Sequence, residues 1–264
     1  MAVSIFLYTR APTLVHRLDP RAKILAMALL FGLVLTFNHP LYLGVVMLAV
    51  LTIVWRSASL ANVWRLKYML LILMTFSTVL WPFFAPGTTE ILRWWKIRIY
   101  LESFLYGAGM GLRIATFLIV GIIFLSTTRT EEFTAALIKL RVPCPMAFAV
   151  STAFRLLPTF VGTGATIVQA QTARGLDLES GSVITRMRKF IPLLVPILIY
   201  ALRSINLQAM ALESKNFGGQ GRRTFYLELN FQLLDYVVLF LLALVCGVAL
   251  YLRLSGYGAV LPRL

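Results

Sequence analysis

Acidic side chains are scarce in this sequence. Ten Asp and Glu stand against 25 Lys and Arg in 264 residues, a formal net charge of +15 at pH 7, and residues 24–84 contain no acid at all. Histidine is confined to His16 and His39, and cysteine to Cys144 and Cys246, which lie far apart with no metal-type spacing. These absences argue against several functions at once. No carboxylate pair, metal-spaced cluster or nucleophile–base set is visible, so a membrane-embedded enzyme has little to act through. A self-sufficient secondary transporter usually needs intramembrane acids or a polar pathway, and these are missing too. No Gly-x-x-x-x-Gly-Lys-Ser/Thr segment occurs, so the chain is expected to bind no ATP and hold no cofactor or metal. The two thiols read as bystanders. Residues 1–23 show only the short apolar run Ser4–Tyr8 before a basic stretch, so no cleavable signal peptide is expected.

What the chain has in abundance is apolar surface. It is 59% hydrophobic and 13% charged, with a mean hydropathy of +0.84. A soluble domain of this length would need far more polar surface. The apolar residues gather in runs of about 15–20, the length that crosses a hydrocarbon layer roughly 30 Å thick. An all-α integral membrane protein with about five transmembrane helices follows. The excess cations lie between the apolar runs, where the positive-inside rule places them, so nucleic acid is not an expected partner and the bilayer is.

The spans are expected at about 24–37, 41–55, 68–84, 103–125 and 233–252. Asn38-His39-Pro40 reads as a tight turn between the first two. Residues 91–100 mix Trp94, Trp95 and Tyr100 with Arg93, Lys96 and Arg98, a composition suited to the headgroup level. In the fourth span, Gly107 and Gly111 have the spacing of a close helix contact, and Arg113 should face the bundle or water, in a structural role. Three regions are therefore expected: residues 1–125 with four spans, 126–232 as a cytoplasmic coupling region, and 233–264 with the last span and tail. The middle region holds 12 of the Lys and Arg and 6 of the 10 acids. Its longest apolar run, Phe190–Leu202, is about 13 residues, too short for a confident crossing. Long amphipathic helices at or below the membrane surface are expected there, with a bend at Pro158.

Three motifs stand out. In His16-Arg17-Leu18-Asp19-Pro20-Arg21-Ala22-Lys23, Asp19 reads as an N-cap and Pro20 as the first helical residue, with Arg17, Arg21 and Lys23 a topogenic basic flank. Ala173-Arg174-Gly175 reads as a helix end, with Gly175 left-handed and Arg174 in the last turn where the helix dipole favours a cation. Forty-one residues later, Glu213-Ser214-Lys215-Asn216 repeats the pattern, with Lys215 for Arg174 and Asn216 for Gly175. Two helices each ending in a presented cation suggest a docking surface for an acidic partner.

These residues together resemble the transmembrane T component of energy-coupling factor (ECF) type importers, a subfamily of ABC transport complexes. The resemblance covers nearly the whole chain: the His16–Lys23 lead-in, Gly111-Leu-Arg113, Arg155-Leu-Leu-Pro158, Ala173-Arg174-Gly175, and the Ala-x-Glu213 approach to the second motif. It implies a non-enzymatic scaffold in the cell membrane, with its coupling region cytoplasmic. The implied partners are two ABC-type ATPase subunits, which bind the ATP, and a small substrate-binding (S) membrane subunit for a vitamin or metal ion. It also implies that two crossing coupling helices insert their Ala-Arg-Gly ends into grooves on the ATPases. Ser214-Lys215-Asn216 departs from that pattern, keeping the charge but losing the planar guanidinium fork.

Overall fold

The computed structural model describes residues 9, 11, 13–84, 90–94, 97–177, 180, 182–219 and 229–256. Among them run α1 (Leu14–Arg17), α2 (Pro20–Thr36), α3 (Pro40–Arg56), α4 (Leu60–Arg65), α5 (Lys67–Leu80), α6 (Leu101–Thr127), α7 (Thr130–Lys139), α8 (Cys144–Ala173), α9 (Val183–Lys189), α10 (Ile191–Ser214) and α11 (Leu233–Leu254). A 3-10 turn, Trp81–Phe83, extends α5. The protein is an all-α membrane protein by any practical measure. Its only strands among the described residues are β1 (Glu90–Trp94) and β2 (Ile97–Tyr100), an antiparallel pair with a bulge after Glu90. The backbone of the expected headgroup-level stretch thus pairs with itself. Cross-strand bonds satisfy the inward-facing backbone groups of the two strands; Trp95 and Lys96 lie outside the described residues.

The chain divides into two compact units, Met1–Val142 with Leu229–Leu264, and Pro143–Glu228. The boundaries expected from composition lay at residues 125/126 and 232/233. The difference is α7, whose Thr134 and Ala136 are buried and which packs with α2 in the first unit.

In the first unit α6 is the central helix, packed against α2, α3, α4 and α5, while α11 lies along α2. Leu43, Val46, Val50 and Val54 recur at helical spacing and give α3 one buried seam. It meets Leu33 and Val34 of α2 and Ile119, Val120 and Ile123 of α6 in a single core. The opposite faces stay apolar and exposed, as on Val45 and Leu48 of α3, Ile72 and Phe76 of α5, and Phe240 and Leu244 of α11. A soluble protein would not leave such faces bare; lipid accepts them.

The Asn38-His39-Pro40 turn forms where expected. Pro40 opens α3, and the His39 ring accepts from the Leu41 N–H at 3.2 Å. α6 crosses this turn and α5 at backbone distance because it is glycine there. A Cβ added at Gly107 or Gly111 would stand 2.9 Å from the carbonyl oxygen of Thr78 or Met74 on α5, and one at Gly109 would stand 2.5 Å from that of Asn38. The expected small-residue interface is therefore real. Gly111→Val is expected to lower the thermal midpoint of the purified protein sharply, by an overpacking cost of about 1–3 kcal/mol. Gly121→Ala, on the same helix with no atom within 4 Å of the added carbon, leaves it unchanged. Equal midpoints for the two variants would refute the close packing.

In the second unit α8 and α10 run antiparallel. Phe148 near the start of α8 meets Phe217 just past α10, with ring centroids 4.3 Å apart, and Phe160 meets Tyr200 edge to face at 6.1 Å. α8 continues through Pro158 without a break in its helical assignment. α8, at 30 residues, and the helical stretch Arg186–Ser214, at 29, are both long and apolar enough to cross a membrane. With Leu101–Thr127 and Leu233–Leu254 they make four such helices among the described residues. The Arg186–Ser214 stretch carries its apolar residues beyond Phe190–Leu202, past Arg203 and Asn206.

Candidate functional site: two cationic helix ends and a buried polar knot

The two helix ends singled out by their sequences adopt the same backbone fold. At the end of α8 the Gly175 N–H donates to the Thr172 carbonyl at 2.9 Å, and the Leu176 N–H donates to Gln171 at 3.0 Å. At the end of α10 the Asn216 N–H donates to Glu213 at 2.9 Å and the Phe217 N–H to Leu212 at 2.9 Å. Both are Schellman motifs, with Gly175 at φ +91° and Asn216 at φ +55° in the left-handed position. Asparagine tolerates that conformation better than other side chains, because its short amide bonds locally. In each motif the residue after the left-handed one, Leu176 or Phe217, is half-buried and pins the turn.

The consequence is a matched presentation of charge. Arg174 and Lys215 are the C-cap residues, at φ −84°, ψ 8° and φ −94°, ψ 13°. Both are exposed, as are Ala173, Gly175, Ser214 and Asn216. Because α8 and α10 are antiparallel, the two cations stand at opposite ends of the pair, a separation on the order of 40 Å for helices of this length. Each sits where unsatisfied carbonyls concentrate negative potential, which orients a cation and leaves its outer side for a partner. Glu213 and Arg155 are exposed on the same two helices, and Pro158 is exposed within α8.

The N-terminal motif does something the sequence alone did not suggest. Asp19 caps α2 as expected, accepting from the Arg21 N–H at 2.8 Å, and Pro20 is the first helical residue. Arg21 and Lys23, however, do not serve as a surface flank. Lys23 is buried, and its Nζ donates to the carbonyls of Thr127 at 2.8 Å and His16 at 3.1 Å, tying α2 to the end of α6. Arg21 donates to the Leu229 carbonyl at 2.7 Å, lies 3.6 Å from the Asp19 carboxylate and covers the Phe231 ring. His16 bonds Thr13 and the Thr9 carbonyl through its two ring nitrogens. Only Arg17 remains exposed.

The residue that completes this knot is one that sequence reasoning missed. Asp235, 1% exposed at the start of α11, accepts the buried Asp19 N–H at 2.8 Å through one oxygen and the Gln232 N–H at 2.8 Å through the other. It staples α11 to the start of α2. The signal was the Gln232-x-x-Asp235 spacing, a capping box in front of an apolar run. Nearby, buried Asn62 of α4 donates to the Ser126 hydroxyl at 2.8 Å, so four helices converge on this polar layer.

Arg113 faces the bundle, as expected. Its guanidinium donates to the Phe37 carbonyl at 2.6 Å and to the Asn38 side chain at 2.7 Å, holding the end of α2 and the α2–α3 turn. These bonds tie α6 to α2 at the opposite end of α2 from the knot.

Residues 11–227 match the CbiQ family, described as cobalt transport protein. The chain is 32% identical over 260 residues to the energy-coupling factor transporter transmembrane protein EcfT of Thermanaerovibrio acidaminovorans, covering 95% of this chain and 96% of that one. It is 31% identical to EcfT of Clostridium kluyveri, covering 92% and 94%, and 28% identical to EcfT of Staphylococcus aureus, covering 94% and 96%. This chain belongs to that family. It is a multi-pass membrane protein and a T component of an energy-coupling factor transporter. The resemblance seen in its motifs is thus shared along almost the full length of the T component.

Proposed function

We propose that this T component transmits the motion of two ABC-type ATPase subunits to a small substrate-binding membrane subunit, driving uptake of a vitamin or metal ion. The ATPases bind and hydrolyse the ATP; the T component itself is non-catalytic, binds no cofactor, and works in the cell membrane with its coupling region on the cytoplasmic side. Arg174 contacts one ATPase and Lys215 the other. The single observation that carries this reading is the identity of backbone geometry at the two helix ends, which offers a cation at each end of an antiparallel pair. Two equivalent sites set apart on one compact unit suit two similar subunits better than one. Lys215 supplies a point charge where Arg174 supplies a planar fork, so its dock accepts a looser, non-bidentate acidic contact.

The test is reconstitution. The T component co-purified with its ATPases and substrate-binding subunit is expected to drive uptake into vesicles only when ATP is supplied, and the chain alone is expected to drive none. Uptake by the chain alone would instead support a secondary transporter.

A further inference from the structure

We propose that Arg113 of α6 and Arg253 of α11 together hold a phosphate-type oxyanion, from a lipid headgroup or from solution, at the end of the first unit opposite the polar knot. Helices α2 and α11 run side by side in the same direction. The Asp19 N–H donates to Asp235 where both begin, and the Cys246 thiol donates to the Leu29 carbonyl at 3.4 Å, about three turns on. Seven residues further along each helix lie Thr36 and Arg253, so Arg253 comes level with the last turn of α2. It also closes the inward seam of α11, where Asp235, Leu242, Cys246, Ala249 and Arg253 recur at helical spacing and are buried or half-buried. Just past α2 is Phe37, whose carbonyl Arg113 holds at 2.6 Å. Two guanidinium groups thus share one helix end, and their charges act on each other.

No acid answers either charge at that end. Helices α2, α3 and α5 contain no Asp or Glu, α6 has none after Glu102, and α11 has none after Asp235, which is engaged in the knot. Glu102 precedes Arg113 by eleven residues, on the order of 16 Å along the helix, and Glu90 pairs in register with Tyr100, further still. The acceptors Arg113 does have are neutral: the Phe37 carbonyl, the Asn38 side chain and the Met110 sulfur. Its Nε and the Nη1 of Arg253 are buried, and neither has a hydrogen-bond partner among the described residues. A buried donor without an acceptor is costly, and two like charges withdrawn from water are costlier still. Water would satisfy a donor and leave both charges standing, whereas one oxyanion offsets both. A carboxylate's two oxygens are taken up by a single guanidinium fork, while a phosphate group has oxygens for two. Tyr251 and Leu254 beside Arg253 are exposed, so the approach is open to a lipid headgroup as well as to a free ion.

The site stands apart from the coupling role and can be tested on the assembled transporter, delipidated in a neutral detergent and phosphate-free buffer. Two probes are titrated separately, radiolabelled inorganic phosphate and radiolabelled phosphatidylglycerol, and the binding that depends on Arg253 is the readout. Arg253 is the position to change, because Arg113 also holds the α2–α3 turn. Arg253→Gln is expected to weaken binding of at least one probe by about tenfold or more, the worth of one charge-assisted contact. Arg253→Lys, which keeps the charge and loses the fork, should fall between the two. Arg253→Met, which keeps an apolar stem, replaces the glutamine variant if that one does not assemble. Sulfate should displace the bound probe, and chloride at equal ionic strength should not. Arg253-dependent binding of either probe supports the site and identifies the source of its anion. Binding of neither, equal binding by parent and variants, or displacement by chloride as readily as by sulfate would overturn the proposal.

Discussion

Arg174→Glu is expected to abolish ATP-driven uptake while leaving the T component folded. The side chain is exposed and its backbone lies at the C-cap of α8, so the substitution removes no buried contact. The Schellman bonds run from Gly175 and Leu176 to Thr172 and Gln171 and involve no side chain of residue 174. An anion at a helix C-terminus opposes the dipole, an effect of a few tenths of a kcal/mol in solvent. The thermal midpoint should therefore shift by no more than about 2 °C. At the proposed dock the sign of the charge reverses, and against an acidic partner surface losing one side of a close pair costs about 2–5 kcal/mol, to which like charges add. Co-purification of ATPase subunits and ATP-dependent uptake should both fall by at least about thirtyfold. Arg174→Lys should retain part of both, because it keeps the charge that Lys215 carries at the other helix end. Normal uptake by the glutamate variant would remove Arg174 from the coupling path.

The second large effect is on folding rather than transport. Asp235→Ala takes away the acceptor for two backbone donors at once, the N–H groups of Asp19 and Gln232. The Asp19 site is buried, so water does not replace the lost partner cheaply, and each orphaned donor costs about 1–3 kcal/mol. The capping box of α11 is lost with it. A destabilisation of about 2–4 kcal/mol is expected from these terms, read as a lower thermal midpoint and as faster proteolysis near the start of α11. Asp235→Asn keeps an acceptor oxygen and should recover roughly half. If the alanine variant unfolds at the parental temperature, the junction between α2 and α11 is not held by this carboxylate.

Both effects illustrate how unevenly the sequence foretold the protein. Span positions follow from apolar run length, and α3, α6 and α11 fall within two residues of where composition put them. The helix ends at Arg174 and Lys215 were legible because a left-handed cap is a local event: a Gly or Asn after a polar C-terminal turn fixes it with few neighbours involved. The Gly107/Gly111 spacing was legible for the same reason, since close approach demands the absence of a side chain whatever the partner.

What tertiary structure alone decided lies in the contacts between distant segments. Arg21 and Lys23 sit beside an apolar run exactly as topogenic cations do, and nothing local distinguishes a solvated flank from a buried one. Only the arrival of Thr127 and Leu229, more than a hundred residues away, turns them inward to answer backbone carbonyls. The antiparallel pairing of α8 and α10, which sets Arg174 and Lys215 at opposite ends of one unit, is likewise invisible to periodicity. Local sequence determines where a helix starts, stops and is apolar; which polar groups it buries depends on what packs there.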